Sequence, residues 1–134
     1  MTKEQARTLA EPIVKAVVDS IADKKYQDIL LYAGFKDDGI SLDMLQEIVE
    51  GFLEANELPC IDKYGVDCPF CPAYVPSYDS YNQLEVYIGE DRQDFSVDYD
   101  LTTNGDINDL TLQMDFVVEN DGTIKAFVMD AHVL

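Results

Sequence analysis

The apolar residues of this chain change their spacing near residue 80, and that change constrains the fold more than any other feature. In the first half, Ile13, Val14, Val17, Val18 and Ile21 recur three and four positions apart, the period of one helical face. Leu9, Ile13, Val17 and Ile21 form a stripe expected to face the core rather than a partner groove, because a sheet needs something to cover it. Two starts are compatible with this first helix. Thr2 and Gln5 have the spacing of a capping box, which starts it near Lys3 with a bend at Pro12; a proline in the first turn starts it near Glu11 instead. A short helical segment follows from Tyr26 to Ala33 and stops at Gly34. Ser41 then caps a second amphipathic helix through Leu42, Leu45, Ile48, Val49, Phe52 and Leu53 to about Asn56.

After residue 80 the period is two. Leu84, Val86 and Ile88 alternate with polar neighbours, as do Phe95, Val97, Tyr99 and Leu101, and again Leu110, Leu112, Met114, Phe116 and Val118. A last run from Thr123 to Val133 is mostly apolar, which completes four strands. Gly89-Glu90-Asp91 and Asn120-Asp121-Gly122 are turn signals, and such short connections favour an antiparallel meander. Helices first and strands afterwards predict an α+β domain, its N-terminal helices packed on a C-terminal four-stranded antiparallel sheet. The layout is one domain over residues 1–134, with a helical half (1–56), a connecting loop (57–81) and a sheet half (82–134). The loop holds four of the five prolines, all three cysteines and the tyrosines Tyr64, Tyr74, Tyr78 and Tyr81. Loops beyond about 12–15 residues are uncommon in compact domains unless they have a function.

Size and charge narrow the classes of function. A chain of 134 residues buries enough surface to fold without a disulfide staple. The formal net charge of −18, from 27 acidic and 9 basic residues, argues against a phosphate backbone and against anionic lipid as partners. A basic protein or metal cations would be attracted, unless the carboxylates are only a solvated surface. No run approaches the roughly 20 apolar residues of a membrane span, and the first residues lack the apolar run of a signal peptide. A cytoplasmic location is therefore expected, and an odd number of cysteines there argues against a disulfide framework.

The strand region resembles a family of small, uncharacterised bacterial domains of NTF2-like (cystatin-like) architecture. The resemblance lies in Phe95-Ser96-Val97-Asp98-Tyr99-Asp100-Leu101, in Asp109-Leu110-Thr111-Leu112, and in the ending Met129-Asp130-Ala131-His132-Val133-Leu134. The family pattern runs W-S-V, D-L-W-T, S-D-L-T-L and D-I-H-V-L. Here Phe95 and Thr102 stand for its tryptophans and Asn108 for its serine, and the cysteine-bearing loop is not part of it. The resemblance implies the fold; it carries no catalytic residues, because the family has no established reaction.

Three constellations could carry chemistry. Cys68-Pro69-Phe70-Cys71 has the C-x-x-C spacing that serves one tetrahedral zinc or dithiol redox chemistry, with Cys60 as a third ligand and His132 as the only histidine. Pro72 and Pro76 oppose the helix that a redox site would need, and purely structural thiols remain the simpler account. No cofactor other than zinc is suggested. Asp100-x-Thr102-x-Asn104-Gly105-Asp106-Ile107-Asn108 begins like a calcium loop, but Thr111 stands where the closing glutamate belongs, so a polar hairpin connection explains it better. Asp130 and His132, two apart in the last strand, share a face and could form an oriented general base, or simply a hydrogen-bonded structural histidine.

The sequence favours a non-enzymatic interaction domain that neutralises a basic partner, as an immunity protein covers the positive cleft of a toxin. The expected contact surface is the acidic sheet edge and loops, Glu90, Asp91, Asp98 and Asp100 to Asp106, with Tyr74, Tyr78 or Tyr81 as aromatic anchor. The alternative is an NTF2-like pocket that holds or acts on a small apolar ligand, with Asp130 and His132 pointing into it. No feature of the sequence sets an oligomeric state.

Overall fold

A computed structural model of the chain describes residues 1–65, 83–89 and 94–133. Cys68, Cys71, Tyr74, Tyr78, Tyr81, Glu90 and Asp91, all named above as candidates, lie outside the described residues.

Helix α1 runs Lys3–Ala22. The Thr2 hydroxyl accepts from the Gln5 amide at 3.1 Å, and the Gln5 side chain accepts from the Thr2 amide at 2.8 Å, so the capping box decides where the helix begins. Pro12 lies inside the helix, on its exposed side, where the missing N–H costs one hydrogen bond but no packing. The buried stripe is Ala6, Ala10, Val14, Val17, Val18 and Ile21. This corrects the expected stripe at its N-terminal end: Leu9 is 41 % exposed and Ile13 only partly buried. Two alanines, Ala6 and Ala10, are the buried side chains there instead.

A 3-10 helix, Tyr26–Leu31, follows. Tyr26 is buried and donates its hydroxyl to Glu50 at 2.7 Å, which ties this turn to helix α2, Leu42–Ala55. Ser41 caps α2 by accepting from the Met44 amide, and Leu45, Val49 and Leu53 form its buried face. Between the two helices Gly34 makes a parallel bridge to the last strand. Its amide donates to the Ala126 carbonyl, and its carbonyl accepts from the Val128 amide, both at 2.9 Å. A Cβ on Gly34 would lie 3.8 Å from the Phe127 ring, an ordinary contact, so the glycine is not sterically required.

The sheet has four strands in the order β1 (Leu84–Ile88), β2 (Phe95–Thr103), β3 (Asp106–Val118) and β4 (Ile124–Val133), each antiparallel to its neighbour. The expected meander is present. Its central hairpin is tighter than a loop over residues 102–109 would be. Asn104 and Gly105 turn the chain alone, with φ of 53° and 84°, the left-handed pair that a two-residue hairpin requires. Leu84, Val86, Phe95, Val97, Tyr99, Leu110, Leu112, Met114, Phe116, Ala126 and Val128 fill one face, under the helices. Phe95 and Phe116 stack at 4.9 Å within it. No described helix is long and apolar enough to cross a membrane.

The start of the connecting loop is fastened to the sheet. The Asp62 carboxylate accepts from the Thr102 hydroxyl at 2.9 Å, the Asn104 amide at 3.0 Å and the Gly105 amide at 2.8 Å. Its own amide donates to the Thr102 carbonyl. Tyr64 stacks on Tyr99 at 4.9 Å and donates its hydroxyl to Glu11 at 2.6 Å, while its amide donates to Asp19. Burial pulls the Asp19 carboxyl upward, but hydrogen bonds from Lys15 and the Tyr64 amide, with the charges of Lys15 and Lys63, hold it below the ordinary range.

The three bonds to Asp62 meet one ionised acceptor, the stronger kind of hydrogen bond. Asp62→Ala is expected to cost about 2–3 kcal/mol in urea denaturation, and Asp62→Asn less. Hydrogen exchange at the Asn104 and Gly105 amides should accelerate in the alanine variant. Unchanged exchange there would show that the turn holds itself.

Candidate functional site: the acidic face of the sheet

Alternation along the strands sends the residues between the core positions to the face opposite the helices. Strand register then arranges them in rows. Glu85, Asp98, Gln113 and Asp130 form one row across the four strands. Asp100, Thr111 and His132 form the next. Tyr87, Ser96, Asp115 and Phe127 form the row on the other side. Five carboxylates from four strands thus share one face with the only histidine of the chain.

At the margins of this face the charges are compensated. Asp115 accepts from the Ser96 hydroxyl at 2.9 Å and from the Lys36 ammonium at 3.3 Å, and that ammonium also sits 5.3 Å from the centre of the Phe127 ring. A hollow of about 290 Å³ lies beside them, lined in part by Lys36, Tyr87, Ser96 and Asp115. On β1, Glu85 stands 3.6 Å from the Lys3 ammonium. In the last row Thr111 donates to Asp100 at 3.0 Å.

The middle is less well compensated. Asp98 Oδ1 and His132 Nδ1 are buried atoms with no hydrogen-bond partner among the described residues. His132 Nδ1 stands 3.5 Å from Asp130 Oδ2, within ion-pair reach but outside hydrogen-bond geometry. Asp130 instead accepts from the Ala131 amide at 2.9 Å. Burial pushes the Asp98 carboxyl above the ordinary aspartate range; the nearby His132 pulls it down, and the charges of Asp100 and Glu85 push it up. The Tyr87 hydroxyl is raised by burial and then by the charges of Asp98, Glu85 and Asp100.

The placement of the expected site residues differs from the sequence reading at several points. Asp98 and Asp100 lie on β2, an interior strand, and not on the sheet edge. Asp100 is 8 % exposed, so it supports the face more than it presents itself to a partner. Asp106 is exposed, but at the tip of the β2–β3 hairpin, away from the rows that hold Asp98 and Asp130. Asp130 and His132 are brought together as expected, yet they point away from the interior between helices and sheet, where a pocket function would need them. No hydroxyl or thiol among the described residues bonds His132 Nδ1, so a general base here would have to act on a bound molecule.

Cys60 is half-buried, and its carbonyl accepts from the Thr103 hydroxyl at 2.6 Å. Thr103 closes the tight hairpin opposite Asp106, whereas His132 pairs with Thr111 further along β3. Among the described residues no group of three histidine, cysteine or acidic side chains could hold a metal ion. Sequence reasoning missed Glu85, Tyr87 and Asp115 as members of the face. The signal was available: each occupies an alternate position of a strand legible from its apolar period.

An α+β fold with its helices on one sheet face and a carboxylate-rich opposite face is the class the geometry defines. The chain belongs to the family described as a domain of unknown function, DUF7668, whose model matches residues 18–134. No curated protein and no solved structure matches it.

The raised Asp98 carboxyl has a consequence for stability. A group that binds its proton more tightly when folded contributes stability that is fully present below its unfolded value, about 3.9 for aspartate. That contribution is lost as pH rises through the higher folded value. Asp98→Asn is therefore expected to raise the melting temperature at pH near 7, with the gain shrinking as the pH is lowered toward about 4. Thermal unfolding of both proteins across that range checks the sign, and a gain that grows on acidification would contradict it.

Proposed function

We propose that the chain is an interaction domain whose acidic sheet face takes a basic protein, in the manner of an immunity protein that covers the positive cleft of a toxin. The observation that carries this reading is the register that gathers Glu85, Asp98, Asp100, Asp115 and Asp130 on one side of the sheet. Lysines reach this group only at its margins among the described residues, Lys36 at Asp115 and Lys3 at Glu85. A net charge of −18 adds a long-range field that speeds encounter with a basic surface and repels nucleic acid. Tyr87, half-exposed beside Glu85 and Asp98, offers an aromatic surface on which a lysine or arginine side chain can lie.

The NTF2-like (cystatin-like) architecture is part of the same proposal. A long first helix, followed at the end of the chain by an antiparallel meander over it, supports it. The pocket function associated with that architecture has less support. Among the described residues, side chains of α1, α2 and the sheet form one apolar cluster between the layers, and the hollow beside Lys36 is lined from the acidic face instead.

An arginine-rich peptide serves as a defined probe. Calorimetry at low salt should show binding that weakens at least about tenfold when Asp98→Lys and Asp130→Lys are combined. The same charge change made on the exposed side of α2, by Glu47→Lys with Glu54→Lys, should have a much smaller effect. Binding should also fade as the Debye length drops from about 10 Å at 0.1 M salt to about 3 Å at 1 M. Equal losses from the two charge reversals would mean that net charge alone attracts the peptide, and the sheet face would lose its claim.

A further inference from the structure

We infer that the Asn104–Gly105 turn is a site of self-modification, at which the Gly105 amide nitrogen attacks the Asn104 side chain, and that the Asp62 carboxylate holds the turn out of reaction. Asn104 is the only asparagine of the chain followed by glycine. It is exposed, at the tip of the β2–β3 hairpin. Glycine carries no side chain to hinder an approach to its nitrogen. The hairpin itself calls for this pair, since both turn positions take a positive φ, 53° and 84°. The fold thus requires the dipeptide whose side chain and next nitrogen most readily close into a five-membered ring.

In the reaction, water or hydroxide takes the Gly105 amide proton, and the nitrogen forms a bond to Asn104 Cγ. The Cγ–Nδ2 bond breaks, and Nδ2 takes a proton from solvent and leaves as ammonia. Water then opens the cyclic imide. Cleavage between the Gly105 nitrogen and Cγ gives aspartate; cleavage between that nitrogen and the Asn104 carbonyl carbon gives isoaspartate. The sum is water consumed and ammonia released, with no change of oxidation state.

The Asp62 clamp opposes this in two ways. The Gly105 N–H donates to Asp62 Oδ2 at 2.8 Å, so loss of its proton would set an anionic nitrogen against a carboxylate. The Asn104 N–H donates to Oδ1 of the same carboxylate at 3.0 Å. Rotation about ψ of Asn104 is what moves these two amides relative to each other, and one carboxylate that binds both fixes ψ at its turn value. Ring closure needs that rotation, because it brings the Gly105 nitrogen round to Cγ. Asp62 is held in turn: it accepts from the Thr102 hydroxyl at 2.9 Å, and its amide donates to the Thr102 carbonyl at 2.8 Å. Reaction at Asn104 therefore waits on release of the segment around Asp62. Because ammonia is lost, converted chains record how often that segment has come away from the hairpin.

The test incubates the full chain at mildly alkaline pH and follows Asn104 by peptide mapping. Mass spectrometry reads the loss of the amide, and labelling by an isoaspartyl methyltransferase reads isoaspartate. The same chain unfolded in urea sets the unclamped rate. Folded wild type should convert at least about tenfold more slowly, because two charge-assisted hydrogen bonds must break first. Asp62→Ala should convert at least about fivefold faster than folded wild type. Asp62→Asn keeps the shape of the clamp without its charge and should fall between the two. Circular dichroism checks that each variant is folded, and Asp62→Asn carries the test if the alanine variant is not. Folded wild type that reacts as fast as the unfolded chain overturns the inference. A folded Asp62→Asn as slow as wild type also overturns it, because the turn would then hold itself. Absence of conversion at Asn104 in the unfolded chain, or conversion only at other asparagines, removes the site altogether.

Discussion

The pairing of β3 with both of its neighbours is the constraint on which the rest of the structure depends. β3 is the longest of the four strands, Asp106–Val118, and it pairs with β2 along one side and β4 along the other. Because side chains alternate, the burial of Leu110, Leu112, Met114 and Phe116 under the helices fixes what must lie on the other side. A slip of one residue would bring Thr111, Gln113 and Asp115 into the apolar layer. The acidic face is therefore the complement of the core, set by the same register. Two irregularities adjust it, between Asp100 and Thr102 against β3 and between Gln113 and Met114 against β4. The second lets Asp130 stand opposite Gln113 while Val128 stays opposite Met114, so β4 contributes a carboxylate to one face and an apolar side chain to the other.

The sheet is held from outside by polar contacts at its periphery. Asp62 clamps the β2–β3 turn, Gly34 lies along β4, and Arg7 donates to the Leu84 carbonyl of β1 at 3.1 Å. These join segments far apart in sequence, and each uses a backbone group of the sheet that would otherwise face solvent. On the acidic side the balance differs. Asp115 has both a cation and a hydroxyl, whereas Asp98 has a buried oxygen without a hydrogen bond among the described residues. Clustered carboxylates of this kind oppose folding through desolvation and mutual repulsion, so their presence on one face costs stability that the apolar layer must offset.

The elements that carry strong periodicity are legible in the sequence. The four strands, the α2 helix with its Ser41 cap, and the order of layers follow from apolar spacing and turn residues alone. The start of α1 is legible as one of two choices, and the reciprocal bonds between Thr2 and Gln5 settle it. Periodicity misplaces Leu9 because spacing identifies a helical stripe only to within a fraction of a turn, and Ala6 and Ala10 give little hydrophobic signal. Asp98 and Asp100 suggest an edge because an acidic strand reads as solvated. Their interior position comes from pairing on both sides, which composition does not encode.

The sequence by itself determined the class of fold, the sign of the charge and the fact that Asp130 and His132 share a face. Each of these is local or additive: a period within one segment, a sum over residues, an alternation along one strand. Tertiary structure alone decided that Glu85, Asp98 and Asp130 stand in one row, that His132 lies beside Thr111 and faces away from the helices, and that Asp62 reaches the Asn104–Gly105 turn. Those relations depend on which residues of different strands come opposite one another. That register is chosen by the joint packing of the apolar face, a property of all four strands together and of none of them separately.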